Sequence, residues 1–144
     1  MLKLAGSILL LCSTVFISSQ KVLECYFTYK FLDKICDVIR LLQFENSTNL
    51  PYKQVFEKIK FDKNNFFTKV KSNGYILRKE VKDAEIFFDN LGKRDKMSEI
   101  EYINYSYEIF KLKSKEYFDR YNQIKKPYLI AGVAAGLVII IVLI

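Results

Sequence analysis

Apolar residues recur every three or four positions along most of this chain, and at both ends the charged positions between them vanish. Leu23, Tyr26 or Phe27, Phe31, Ile35, Val38 or Ile39, and Leu42 form one such series, and no Gly or Pro interrupts residues 7–50. That spacing predicts a long helix that begins in the first apolar run and continues into charged sequence. The run Glu45-Asn46-Ser47-Thr48-Asn49 ends it with turn-forming residues. Thr48 or Asn49 is the expected N-cap of a second helix, with Pro51 in its first turn and Val55, Phe56 and Ile59 buried. A third, short helix is expected near residues 65–72, burying Phe66 or Phe67 and Val70, and Asn73-Gly74 closes it.

From Tyr75 to Leu91 the positions Leu77, Val81, Ala84, Phe88 and Leu91 predict an amphipathic helix. Its corner comprises Phe88, Leu91, Gly92 as a left-handed terminus, Lys93-Arg94, and Asp95 as N-cap of the next helix. Residues 95–126 then lack Gly and Pro. One stripe runs through Met97, Ile100, Ile103, Tyr107, Phe110, Ser114, Tyr117 or Phe118, Tyr121 and Ile124, which predicts a long helix packed antiparallel on the first. No stretch alternates like a strand. The expected fold class is all-α: a membrane-anchored helical bundle of about five to six helices, its long terminal helices continuing into transmembrane spans. The segments are 1–19 (N-terminal span), 20–127 (helical domain) and 128–144 (C-terminal span).

The apolar ends carry the membrane reading. Residues 128–144 hold no charge and follow Lys125, Lys126 and Pro127, where a bend is expected. As helix they cover roughly 25 Å, short of a hydrocarbon core of about 30 Å, and snorkelling lysines with Tyr128 at the interface absorb the difference. Ala131, Gly132, Ala135 and Gly136 form a small-xxx-small face that admits a second helix closely. Because Gly132 and Gly6 fall in opposite leaflets, that face is expected to serve a neighbouring protomer. Residues 4–18 are read as an uncleaved span in preference to a signal peptide cut near Ser13, Ser18 or Ser19. A lipoprotein signal would need a small residue where Leu11 precedes Cys12. Lys21 and Lys30 after the first span, with Lys125 and Lys126 before the second, place the domain in the cytoplasm. The alternative is an exported, tail-anchored helical domain with its signal removed.

Charge then narrows the picture. Of a net +7, the whole surplus within the middle lies between residues 53 and 82. Lys53, Lys58, Lys60, Lys63, Lys69, Lys71, Arg78, Lys79 and Lys82 there face only Glu57, Asp62 and Glu80. Such a patch suits an acidic protein face or anionic lipid headgroups. With no His and three widely spaced Cys, no metal centre, cofactor site or acid–base pair is expected, and an enzyme reading ranks last. The cysteines read as small buried residues in a reducing compartment. Ten Tyr and twelve Phe read as core filling at helical spacing, with no nucleic-acid signature beside them. Asn46-Ser47-Thr48 and Asn104-Tyr105-Ser106 match a glycosylation pattern that is idle in the cytoplasm.

Four stretches in order resemble the stage III sporulation protein AB family of endospore-forming bacteria. They are Met1-Leu2-Lys3-Leu4-Ala5-Gly6-Ser7-Ile8-Leu9-Leu10, Asn49-Leu50-Pro51-Tyr52-Lys53-Gln54-Val55-Phe56-Glu57-Lys58-Ile59, Phe88-Asp89-Asn90-Leu91-Gly92-Lys93-Arg94-Asp95, and the tail from Pro127 to Ile144. The chain departs from the family at Glu99, where a Gln is usual, and around residues 61–75, which are shortened and rich in Lys and Asn. The resemblance implies a mother-cell protein in the membrane around the forespore, part of the channel complex joining the two cells. It also implies a soluble domain similar to the helical domain of the type II secretion F platform protein, coupled to a secretion-type ATPase of the same operon.

Overall fold

Five helices follow one another in the computed structural model, which describes residues 2–46 and 52–143. They are α1 (Leu2–Asn46), α2 (Tyr52–Lys58), α3 (Lys63–Ser72), α4 (Arg78–Asp89) and α5 (Lys96–Leu143), and the described residues hold no strand. The expected caps Thr48 and Asn49, and Pro51, lie outside the described residues.

The seam between α1 and α5 is the backbone of the molecule. Tyr26 packs on Tyr121 and Tyr29 on Phe118, while Arg40 Nη2 donates to Tyr107 Oη at 2.9 Å and Gln43 Nε2 to Asn104 Oδ1 at 2.8 Å. Each step along α1 is answered by an equal step back along α5, as two antiparallel rods of equal rise require. The expected stripe of α1 is buried through Phe31, Ile35, Val38, Ile39 and Leu42. On α5 the buried positions are Ile103, Phe110 and Ser114, with Tyr107 and Tyr117 packed at the edge. A fully buried Leu or Ile contributes roughly 1.5–3 kcal/mol, so Leu32, Ile35, Ile39 and Leu42 make the inward face of α1 a main source of stability.

The short helices lie across one side of this pair. Phe31 packs on Phe66 and Phe67, and Phe88 on Phe56, Phe61 and Phe67. Phe87 carries the cluster to Tyr102 and Phe110 of α5. The rings therefore fill the core.

Several boundaries differ from the sequence pattern. α3 begins at Lys63, because Asp62 caps it by accepting from Asn65 N–H at 3.2 Å. α4 begins at Arg78 and not at Tyr75: Tyr75 N–H donates to Asn73 Oδ1 at 3.0 Å and Leu77 N–H to buried Thr28 Oγ1 at 3.2 Å, which holds this stretch as a turn. Met97 is 72% exposed, and Glu99 takes the inward position in its place. Helix α5 runs through Pro127 without a break. Cys25 and Cys36 are buried, but Cys12 is exposed, because a two-helix seam covers only one side of each apolar end.

Candidate functional site

The nine basic residues of the central window do not form one uniform surface. Lys58 Nζ donates to both carboxylate oxygens of Glu45 at 2.7 Å, tying α2 to the end of α1. Lys63 pairs with Asp89, and Lys71 Nζ lies 2.6 Å from Glu85 Oε1, so α3 and α4 are pinned at both ends. The hydrogen bond from Lys63 holds the Asp89 carboxyl below its ordinary range. A surface pair such as Lys63–Asp89 adds only about 0.2–1 kcal/mol, but all three pairings remove a cation from the free surface. Lys60, Lys69, Arg78, Lys79 and Lys82 are exposed and form no ion pair among the described residues. Lys53 lies on α2, with its side chain outside the described set.

The corner residues meet as the local chemistry predicts. Gly92 has φ +76°, and a Cβ there would stand 3.3 Å from Tyr52 Cδ2. Phe88 is buried and Leu91 half-buried beside it. Asp95 caps α5 by accepting from Ser98 N–H at 3.2 Å and Ser98 Oγ at 2.7 Å, which keeps its carboxyl below the usual range. Buried Glu99, which no sequence pattern singles out as a structural group, closes the corner: its Oε1 accepts from Gly92 N–H at 2.7 Å. Its Oε2 accepts no hydrogen bond and meets the Arg94 guanidinium at 3.9 Å, while Arg94 stacks over Tyr102 at 3.7 Å.

A second unforeseen cluster joins α4 to α5. Lys113 Nζ donates to Glu80 Oε2 and Asp83 Oδ2, both at 2.7 Å, and Tyr117 Oη donates to Glu80 Oε1 at 3.3 Å. Burial lowers the Lys113 pKa, but the hydrogen bonds to Asp83 and Glu80 outweigh it and the net shift is upward. Burial, reinforced by the Glu80 charge, pushes Tyr117 up to about 12. In the sequence Glu80 stands only as one of the three acids facing the basic window.

Comparison with protein-family models, curated proteins and solved structures finds no match. The reading therefore rests on the chain itself.

At the apolar ends, α5 is long and apolar enough to cross a membrane, and its apolar stretch is mostly exposed. Gly132 and Gly136 are buried, whereas Ala131 and Ala135 are exposed along a crevice of about 460 Å³ shared with Thr14, Ile17, Ser18 and Tyr128. A Cβ on Gly132 would collide with Ser18 Oγ and stand 3.2 Å from the Thr14 carbonyl oxygen. Gly132 is thus engaged within the chain. A close approach needs only one glycine opposite a small residue, and Ser18, not Gly6, supplies it. Among the described residues no group of His, Cys, Asp and Glu could hold a metal ion. Burial, with Asp33 and Asp37 nearby, raises the Cys36 thiol to about 11, so it stays protonated and inert at neutral pH.

Proposed function

We propose that this chain is a non-enzymatic membrane scaffold: both apolar ends span the bilayer as an antiparallel hairpin that carries the five-helix domain in the cytoplasm. The observation that carries this reading is the α1–α5 seam. It runs from Gln43–Asn104, past the last charged residues, to Gly132 against Ser18, and joins domain and apolar ends through two continuous helices. The same contact favours a retained N-terminus, since cleavage near Ser18 would strip Gly132 of its partner.

In this reading, supported by the family resemblance, the scaffold sits in the mother-cell membrane around the forespore. It belongs to a sporulation-specific channel or secretion complex and docks a cytoplasmic secretion-type ATPase. Lys60, exposed and, among the described residues, unpaired at the end of the domain away from the apolar ends, is the docking cation. Lys58, Lys63 and Lys71 are already matched by Glu45, Asp89 and Glu85, so reversing them would set like charges face to face and disturb the fold. Co-purification from sporulating cells tests the role. The Lys60→Glu chain should lose the ATPase several-fold with helicity intact, and full retention would place docking elsewhere.

A further inference from the structure

The turn between α3 and α4 is the part of the short-helix layer that lies nearest the apolar ends. Leu77 N–H is bonded to Thr28, and Tyr75 stacks on Phe27 with ring centroids 5.8 Å apart. Thr28 stands about 10 Å of helix rise above Lys21, where the charged part of α1 closes. The headgroup layer of a bilayer is roughly 5–8 Å deep on each side of the hydrocarbon. Long side chains on this turn therefore face the outer edge of that layer.

A groove of about 560 Å³ opens between α3 and α4 at this turn. Val70, Ile76 and Val81 give it apolar walls, and Lys71, Arg78 and Lys82 line it with positive charge. Glu85, also in the lining, is engaged by Lys71 at 2.6 Å. Arg78 and Lys82 are one turn apart on the same face of α4, exposed and without an ion pair among the described residues. The far-end cations Lys60 and Lys63 have a different setting, next to Phe61 and Asp62 at the start of α3.

We propose that this groove receives the headgroup of an anionic phospholipid from the leaflet in which the two spans begin; the proposal rests on the two-span reading. A phosphate diester matches the forked donors of Arg78 and the point charge of Lys82. The apolar walls accept the glycerol and the first methylenes of the chains. An acidic protein would have to enter between the domain and the bilayer surface to reach the same groove, whereas the lipid is already there. Binding fixes the height and rotation of the domain over the membrane, and leaves Lys60 on the far side for a soluble partner.

The test uses the full chain in nanodiscs of phosphatidylcholine containing a minor share of phosphatidylglycerol, with retained lipid weighed by native mass spectrometry. Wild type should retain phosphatidylglycerol several-fold above its share in the disc. Arg78→Gln/Lys82→Gln should fall to that share, while Lys60→Gln/Lys93→Gln, the same charge loss at the far end, should not. Equal retention by wild type and Arg78→Gln/Lys82→Gln, with both inserted, overturns the lipid site and leaves the two-span reading standing. Failure of the chain to insert overturns both. In discs of phosphatidylcholine alone, inorganic phosphate should not slow hydrogen exchange in residues 73–79; protection there would make this a site for a free anion and overturn the lipid assignment.

Discussion

Gly132 of α5 and Ser18 of α1 approach so closely that a Cβ on the glycine would lie 3.0 Å from the serine Cβ. Ser18 Oγ donates to its own helix at Val15 O, 2.9 Å away, so the contact is one of shape and not of hydrogen bonding between helices. Two helices meet this way only where one contributes no side chain. Gly132→Leu should therefore cost about 1–3 kcal/mol in unfolding of the full chain in micelles. Gly6→Leu is the control, because nothing lies within 4 Å of that position, and its unfolding midpoint should not move.

At the corner, Glu99 buries a carboxylate of which one oxygen is unbonded. Glu99→Gln keeps a carbonyl acceptor for Gly92 N–H and removes the buried charge, so thermal melting should show equal or higher stability. Glu99→Ala leaves that N–H without its acceptor and should cost roughly 1–3 kcal/mol. A loss of stability in Glu99→Gln as large as in Glu99→Ala would show that the Arg94 contact, and not the Gly92 bond, holds the corner.

Gly92 itself sits at φ +76° with Tyr52 against it. Gly92→Ala adds both left-handed strain and a crowded methyl, and should lower stability by about 1–2 kcal/mol in chemical denaturation. An unchanged midpoint would mean that the corner relaxes to another conformation.

The Lys113 cluster sets an alkaline limit. Lys113 and Tyr117 both hold their protons more tightly in the fold than in the unfolded chain. The stability they contribute is whole below the unfolded values and is lost as pH rises through the folded ones; for Tyr117 the window runs from 10.0 to about 12. Melting temperature should fall across this window, and less steeply in Tyr117→Phe. Lys113→Met strands the buried Glu80 carboxylate and should cost about 3 kcal/mol at neutral pH. Adding Glu80→Gln should recover part of that.

Features that depend on neighbours in sequence were legible from the pattern. The α1 stripe, the α5 stripe from Ile103 onward, the left-handed Gly92 and the Asp95 cap each follow from spacing or from one residue's own chemistry. Features made by distant partners were not. Lys58 finds Glu45, Lys63 finds Asp89 and Lys71 finds Glu85 only after the helices have packed, so a basic run in sequence became a smaller set of free cations. Glu99 and Glu80 are inward because each satisfies a group on another element, which no helical period reveals. The left-handed Lys60, φ +54°, ends α2 without the glycine that would have announced it.

Labelling of a single cysteine at position 74 tests the cytoplasmic scaffold most directly. Gly74 is exposed, and a Cβ there meets nothing within 4 Å, so Gly74→Cys in a chain with Cys12, Cys25 and Cys36 replaced by Ala or Ser reports on the domain without disturbing it. A membrane-impermeant maleimide should leave it unmodified in intact cells and label it fully once the membrane is opened. Labelling in intact cells would place the helical domain outside and contradict the cytoplasmic scaffold.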